Sequence, residues 1–130
     1  MRIFGRFHDG CIREIHVVTG HSVDENLAMT CDWPTTVRML VQRQNRNPSA
    51  IELRFDEVVE LRLSPPPPDY VQIIFECHFS FEEGVFYWAD DVRFDAQSKE
   101  HYDYSWISAR RVWWRDASQW MGETLRYSSD

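Results

Sequence analysis

The feature that most constrains the fold is a two-residue alternation of apolar and polar side chains in the stretch VQIIFECHFSF. Alternate residues of a β-strand point to opposite faces, so this spacing predicts a strand with one apolar face. The Glu-Glu-Gly sequence that follows offers Gly84 for a turn that needs positive φ. The next stretch, VFYWADDVRF, then provides the second, antiparallel strand. We therefore predict a β-hairpin. The apolar face of its first strand comprises Val71, Ile73, Phe75, Cys77, Phe79 and Phe81.

Similar short alternating runs, separated by turn residues, recur along most of the chain, which is typical of antiparallel β domains. The run over residues 51–63 fits either two short strands or one strand bent near Asp56 and Glu57. We predict a single all-β domain over residues 1–130, with at most a short C-terminal helix. Its strands, about seven to nine in number, are expected to form an antiparallel sandwich or a curved, partly closed sheet. A further apolar face is predicted for Leu27, Met29, Cys31 and Trp33.

The charge of the chain limits its partners. The formal charge is −7, from 21 acidic and 14 basic residues. A negative charge repels nucleic acids and anionic membranes at long range and attracts basic proteins. No apolar run approaches the ~18 residues of a membrane span, and the first residues lack the apolar core of a signal peptide. We therefore expect a cytoplasmic protein with no nucleic-acid or membrane partner, for which a basic protein is the favoured partner.

The three cysteines, Cys11, Cys31 and Cys77, form no Cys-x-x-Cys pair, so we expect reduced thiols. Cys31 and Cys77 alternate with large apolar residues and are expected to be buried. Cys77 is followed by His78, and a thiolate with an imidazole can act as a nucleophile. Because adjacent strand residues face opposite ways, we interpret Cys77 as a packing residue and not as a catalytic one.

Potential metal ligands or catalytic groups gather near the start of the chain. The Asp-Gly pair that follows His8 is typical of a turn in which the aspartate accepts hydrogen bonds from nearby backbone. The chain has no His-Glu-x-x-His motif or comparable ligand spacing. We therefore predict a structural turn and no metal, cofactor or catalytic residue. The alternative is a small metal-binding protein or enzyme that uses His8, Asp9, His16 and His21.

Arginines and tryptophans are interleaved in the stretch WISARRVWWRD. Such a run can stack the bases of single-stranded nucleic acid, but the acidic chain opposes that function. Sheet packing with an exposed aromatic patch explains the same residues. Alternation places Arg111, Trp113 and Arg115 on one face and Trp114 on the other. We predict an interaction surface that comprises Trp106, Arg111, Trp113, Trp114 and Arg115.

Two stretches resemble the bacterial immunity protein 50 family. They are FGRFHDGCIREIH, which contains Phe7, His8 and Asp9, and the later strand IELRFDEVVELRL. The resemblance implies a small, mostly β bacterial protein of the cytosol that binds and neutralises a toxin, and it carries over no catalytic residues. We therefore expect a small soluble binding protein without an evident catalytic site, whose partner is a toxin or another basic protein.

Overall fold

The computed structural model describes residues 6–71, 73–98 and 103–127. These residues form eight strands and, near the C-terminus, a 3₁₀ turn at Ser118–Trp120, so the all-β prediction is confirmed. Within these ranges no helix is long and apolar enough to cross a membrane. The strands are β1 Gly10–Val18, β2 His21–Val23, β3 Met29–Cys31, β4 Thr36–Arg43, β5 Ala50–Arg62, β6 His78–Glu82, β7 Val85–Ala89 and β8 Trp106–Asp116.

Six of the strands form one antiparallel sheet in the order β1-β4-β5-β8-β7-β6. The sheet consists of two three-stranded meanders, β1-β4-β5 and β6-β7-β8, which are joined by the β5–β8 pair. Among the described residues, strands β2 and β3 pair only with each other, beyond the last β1–β4 pair of Val18 with Thr36. We call this separate hairpin, residues 20–33, the arm.

The sheet is so curved that the segment before β6, at one edge, contacts the start of β1 and the turn before it, at the other edge. The N–H of Ile74, before β6, donates to the carbonyl of Gly10 at the start of β1 over 2.7 Å. The N–H of Cys77 donates to the carbonyl of Arg6 over 3.0 Å. Gly10 suits this crossing because a Cβ there would lie 2.7 Å from the carbonyl oxygen of Phe7. Of the two expected architectures, the structure therefore shows the curved, partly closed sheet.

The main core lies on the concave face of this sheet. Phe7, from the N-terminal turn, meets Trp88 of β7 edge to face, with ring centroids 6.1 Å apart. Burial of each large apolar side chain contributes about 1.5–3 kcal/mol, so this alternating face supplies most of the driving force for folding. Strands β4, β5 and β8 contribute Val37, Met39, Val41, Ile51, Leu53, Phe55, Ile107 and Ala109.

Two segments of the chain, which we call covers, pack over part of the convex face. The loop after β7 packs Phe94 and Tyr104 against Trp106. The C-terminal segment, residues 117–127, packs Trp120 and Tyr127 over the outer side of β4 and β5. The convex face between these two covers remains open.

Strand β6 is shorter than the alternation predicted. The prediction of one apolar face is wrong before Cys77, since Ile74, which breaks the pattern, is 2% exposed and Phe75 is 72% exposed. The cause is the contact with the N-terminal turn, which uses the backbone of this segment and turns Ile74 toward the core. The hairpin itself is confirmed: Glu83 and Gly84 form its two-residue turn with φ of 49° and 80°.

The run over residues 51–63 contains one bent strand. Glu57 has a φ of 54°, and the pairing of β5 with β8 shifts between Val58 and Glu60. This β-bulge lies next to the position that the sequence indicated, and it increases the bend of the sheet.

Candidate functional site

The open part of the convex face forms a groove across β4, β5 and β8. The groove has a volume of about 470 Å³, and a hollow of about 290 Å³ adjoins it on the side of β1. Arg38 and Arg54 line both. Two of the predicted surface residues, Trp113 and Arg115, are therefore brought together on this face with residues of two other strands. Trp114 also borders the groove, but it lies opposite the buried Leu53, so its side chain belongs to the concave face. The groove is lined by Arg38, Glu52, Arg54, Asp56, Trp113, Trp114 and Arg115.

Strand register sets the order of the charges in the groove. Arg38 of β4 lies opposite Arg54 of β5, and Arg54 lies opposite Trp113 of β8. In the next row of the same face, Glu52 lies opposite Arg115. Cross-strand neighbours are close enough to interact directly, so residues far apart in the sequence form one surface here.

A buried carboxylate holds the aromatic wall of the groove. The indole N–H of Trp113 donates to Asp56 Oδ2 over 3.0 Å. Asp56 Oδ1 accepts from Arg54 Nε over 2.8 Å and from the Thr36 hydroxyl over 3.4 Å. Asp56 is 8% exposed, whereas Trp113 is 58% exposed. Asp56 thus fixes the ring and the guanidinium while the ring remains accessible.

Glu52 has the corresponding role at the other end of the groove. Its Oε2 accepts from Arg115 Nη2 over 3.0 Å and from the hydroxyl of Tyr127 over 2.9 Å. Burial, and then the hydrogen bond to Glu52, raise the pKa of Tyr127, so the phenol keeps its proton and donates it. The Arg115 guanidinium also lies 4.7 Å from the ring centroid of Trp120, within range of a cation–π interaction.

Arg38 differs from the other two arginines of the groove. Arg54 and Arg115 form ion pairs with Asp56 and Glu52. Arg38 is exposed and, among the residues that the structure describes, its side chain forms no hydrogen bond or ion pair. The sequence analysis did not single out Arg38 or Arg54, because only the register of β4, β5 and β8 brings them beside Trp113.

Two residues of the predicted interaction surface lie outside the groove. Trp106 is 5% exposed, with its ring centroid 5.4 Å from that of Phe94. Its assignment to an exposed surface is wrong, because the loop after β7 covers it. Arg111 is exposed and forms an ion pair of 2.7 Å with Glu57, beyond the lining of the groove.

The proposed metal or catalytic ligands are not brought together. His8 and Asp9 lie in the N-terminal turn, His16 lies on β1 and His21 lies on the arm. The described residues include no group of three or more His, Cys, Asp or Glu side chains that could hold a metal ion.

The predicted turn at His8 and Asp9 is present, and Asp9 has a φ of 58°. Its carboxylate is not the backbone acceptor that the sequence suggested. Asp9 Oδ2 lies 3.0 Å from His8 Nδ1, and the part of the chain that is described offers it no backbone N–H. The turn is instead anchored by the buried ring of Phe7.

The cysteines divide between core and surface. Cys77 is 5% exposed and its burial raises its pKa to about 12, which confirms its interpretation as a packing residue. His78 faces the other way and lies 2.8 Å from the Ser80 hydroxyl. Cys31 is exposed, so the prediction of its burial is wrong. It lies on the arm, and no strand or helix within the described residues packs behind the arm.

The arm presents large apolar side chains to solvent. One face is polar, with the hydroxyls of Ser22 and Thr30 2.6 Å apart. At the base of the arm, a Cβ on Gly20 would lie 1.1 Å from the carbonyl oxygen of Trp33, so the two strands can cross there only with glycine. The exposed apolar residues of the arm are Val23, Leu27, Met29 and Trp33, at 57%, 86%, 74% and 77%.

Comparisons of the chain with protein-family models, curated proteins and solved structures find no match. The resemblance to the immunity protein 50 family therefore stays a prediction.

Proposed function

We propose that the protein is a binding protein and that its arm docks onto a basic protein partner. The observation that carries this proposal is the large exposed apolar surface of the arm, in a segment without positive charge. Leu27 and Trp33 are 86% and 77% exposed, and residues 20–33 contain no lysine or arginine. Exposed apolar patches with a polar rim are characteristic of protein interaction sites.

The conformation of Leu27 supports a role in binding. Its φ of 63° lies in the left-handed region, which costs a residue with a Cβ roughly 1–2 kcal/mol. The Asp24 carboxylate holds this tip by accepting the N–H groups of Asn26 and Ala28 over 2.9 and 3.0 Å. Asparagine or glycine would form the same turn at lower cost. A leucine at this exposed position is explained if its side chain packs against a partner.

The expected stability of the arm also supports a role in binding a partner. A two-stranded hairpin is marginally stable alone in water, so the arm gains most from a partner that packs against it. Complete burial of a side chain such as Leu27 contributes about 1.5–3 kcal/mol. Trp33 is of the residue type that most often dominates binding energy at protein interfaces.

Charge selects the class of partner. The arm carries Asp24, Glu25 and Asp32, and the whole chain has a charge of −7. A basic protein surface would complement this charge and would associate faster because of it. The resemblance of the N-terminal stretch to the immunity protein 50 family makes a toxin a specific candidate for this partner.

The test is site-specific photo-cross-linking in cells. A photoreactive residue at position 27 should capture a basic protein, whereas the same residue at position 92 should not. Val92 is a matched control because it is an exposed apolar residue, at 51%, on the loop after β7. The captured protein is then purified and its affinity for the wild-type protein, Leu27→Asn and Val92→Asn is measured.

Leu27→Asn should weaken binding by about tenfold or more, which corresponds to 1.4 kcal/mol. Asparagine tolerates the left-handed conformation, so the turn should persist and the loss should come from the missing side chain. Val92→Asn should change the affinity less than about twofold, and added salt should weaken binding. Capture of a second copy of this chain, capture of an acidic protein, or unchanged affinity of Leu27→Asn would each contradict the proposal.

A further inference from the structure

We propose that the groove between Arg38 and Trp113 binds a small aromatic oxyanion, that is, a phosphate ester or a carboxylate attached to a ring. This site is distinct from the arm, and it does not rest on the protein partner proposed above. Arg38 and Arg54 would bind the anionic group, and Trp113 would contact the ring.

The first argument is the placement of Arg38 and Arg54. They lie directly opposite each other on β4 and β5. Two like charges in this arrangement destabilise a sheet. Asp56 forms an ion pair with Arg54, but no described residue forms one with Arg38. A bound oxyanion between the two guanidinium groups would remove the repulsion and satisfy Arg38.

The second argument is that the donors of the groove are held in place and remain available. Arg54 hydrogen-bonds to Asp56 only through Nε among the described contacts, which leaves its two terminal amino groups for a ligand. Arg115 is likewise positioned by Glu52 through a single amino group. Arginine binds carboxylates and phosphates through pairs of N–H donors, so partly engaged guanidinium groups of this kind suit an oxyanion.

The third argument is local charge. The groove is lined by three arginines and two carboxylates, a net charge of +1 in a chain whose total is −7. Both carboxylates are buried, at 5% for Glu52 and 8% for Asp56, and each already accepts hydrogen bonds from side chains of the groove. The accessible groups are therefore the cationic ones.

The fourth argument concerns the ring. Trp113 is 58% exposed, and its indole N–H is fixed by Asp56, so its orientation is set before a ligand binds. An aromatic ligand can stack against a ring of this kind, or meet it edge to face. The volume of about 470 Å³ is within the range of small-molecule sites.

The test uses isothermal titration of the full chain with four probes: phenyl phosphate, benzoate, inorganic phosphate and benzyl alcohol. Phenyl phosphate or benzoate should bind at least about tenfold tighter than inorganic phosphate and benzyl alcohol, because only they combine a ring with an anion. Which of the two binds tighter identifies the anionic group as phosphate or carboxylate. Comparable binding of all four probes, or binding of none, would overturn the proposal.

Variants then locate the site. Arg38→Gln should weaken binding of the tighter probe by about tenfold or more, while Arg62→Gln, an exposed arginine at the far end of β5, should change it less than about twofold. Trp113→Leu should weaken binding of the aromatic probe and leave the affinity for inorganic phosphate unchanged.

The ligand-free Arg38→Gln protein provides a separate readout. Removal of an unpaired charge opposite Arg54 should leave the melting temperature equal or higher. A lower melting temperature would assign Arg38 a structural role, and unchanged affinity would place the ligand elsewhere. Either result would overturn the proposal that Arg38 is an unpaired residue that binds the anionic group of a ligand.

Discussion

Glu14 of β1 holds the C-terminal segment against the convex face of the sheet, and its replacement by alanine should release that segment. Its Oε2 accepts the backbone N–H of Arg126 over 2.7 Å and that of Tyr127 over 3.1 Å. Glu14 is 8% exposed, so water has little access to replace its hydrogen bonds to these two N–H groups while the segment is docked. Trp120 and Tyr127, which cover Leu40, depend on this anchor.

The size of the effect follows from the two hydrogen bonds. A hydrogen bond to a charged group contributes about 1.5–3 kcal/mol. Arg126 is exposed, so its N–H regains a hydrogen bond to water when the segment is released, and the lower end of this range applies to each bond. The free energy that docks the segment should therefore fall by about 3 kcal/mol in Glu14→Ala. In Glu14→Gln the amide oxygen still accepts but carries no charge, and the loss should be about half as large.

Hydrogen exchange measures this directly, because the amides of Arg126 and Tyr127 are the groups that Glu14 binds. Their protection should fall by about 100-fold in Glu14→Ala and by about tenfold in Glu14→Gln, since 1.4 kcal/mol corresponds to a factor of ten. Glu25→Ala, which removes an exposed carboxylate on the arm, should leave them unchanged. Equal protection in the parent protein and in Glu14→Ala would refute the role of this carboxylate.

Two further predictions concern titratable groups. Cys11 and Cys31 should react with a thiol reagent in the native protein and Cys77 only on unfolding, because it is buried and its pKa is raised to about 12; rapid reaction of all three thiols would contradict its burial. The pKa of Tyr127 is raised by burial and by Glu52, so the stability from its docking should be complete below about pH 10 and should decline as the pH rises through its folded value. Absorbance titration of the parent and Tyr127→Phe should show one late-titrating phenol that the variant lacks, and identical curves would count against this.

Alternation identified the strands but not what lies behind each face. Val37, Met39 and Val41 alternate in sequence, and all three are buried. Met29 alternates in the same way with Cys31, yet both are exposed because no second layer among the described residues packs against β2 and β3. The period of a pattern depends on the local chain, whereas burial depends on distant parts of the fold.

Long-range pairing explains the other differences. Nothing near Ile74 in the sequence indicates that its backbone pairs with Gly10, and that contact reverses the expected face. Trp113 and Arg115 could be predicted as surface residues from their own stretch. Arg38 could not be added to them, because its position beside the groove depends on the register of three strands.

The order in which the two meanders are made has a consequence for synthesis. The centre of the sheet pairs residues 50–62 with residues 106–116, so β5 lacks one neighbour until the ribosome has added about fifty more residues. At about 5–20 residues per second, the apolar side of the first meander is then uncovered for roughly 3–10 s. We expect chaperones to bind the exposed apolar side chains of the nascent chain in this interval, and the speed of translation between β5 and β8 should influence how much protein reaches the folded state.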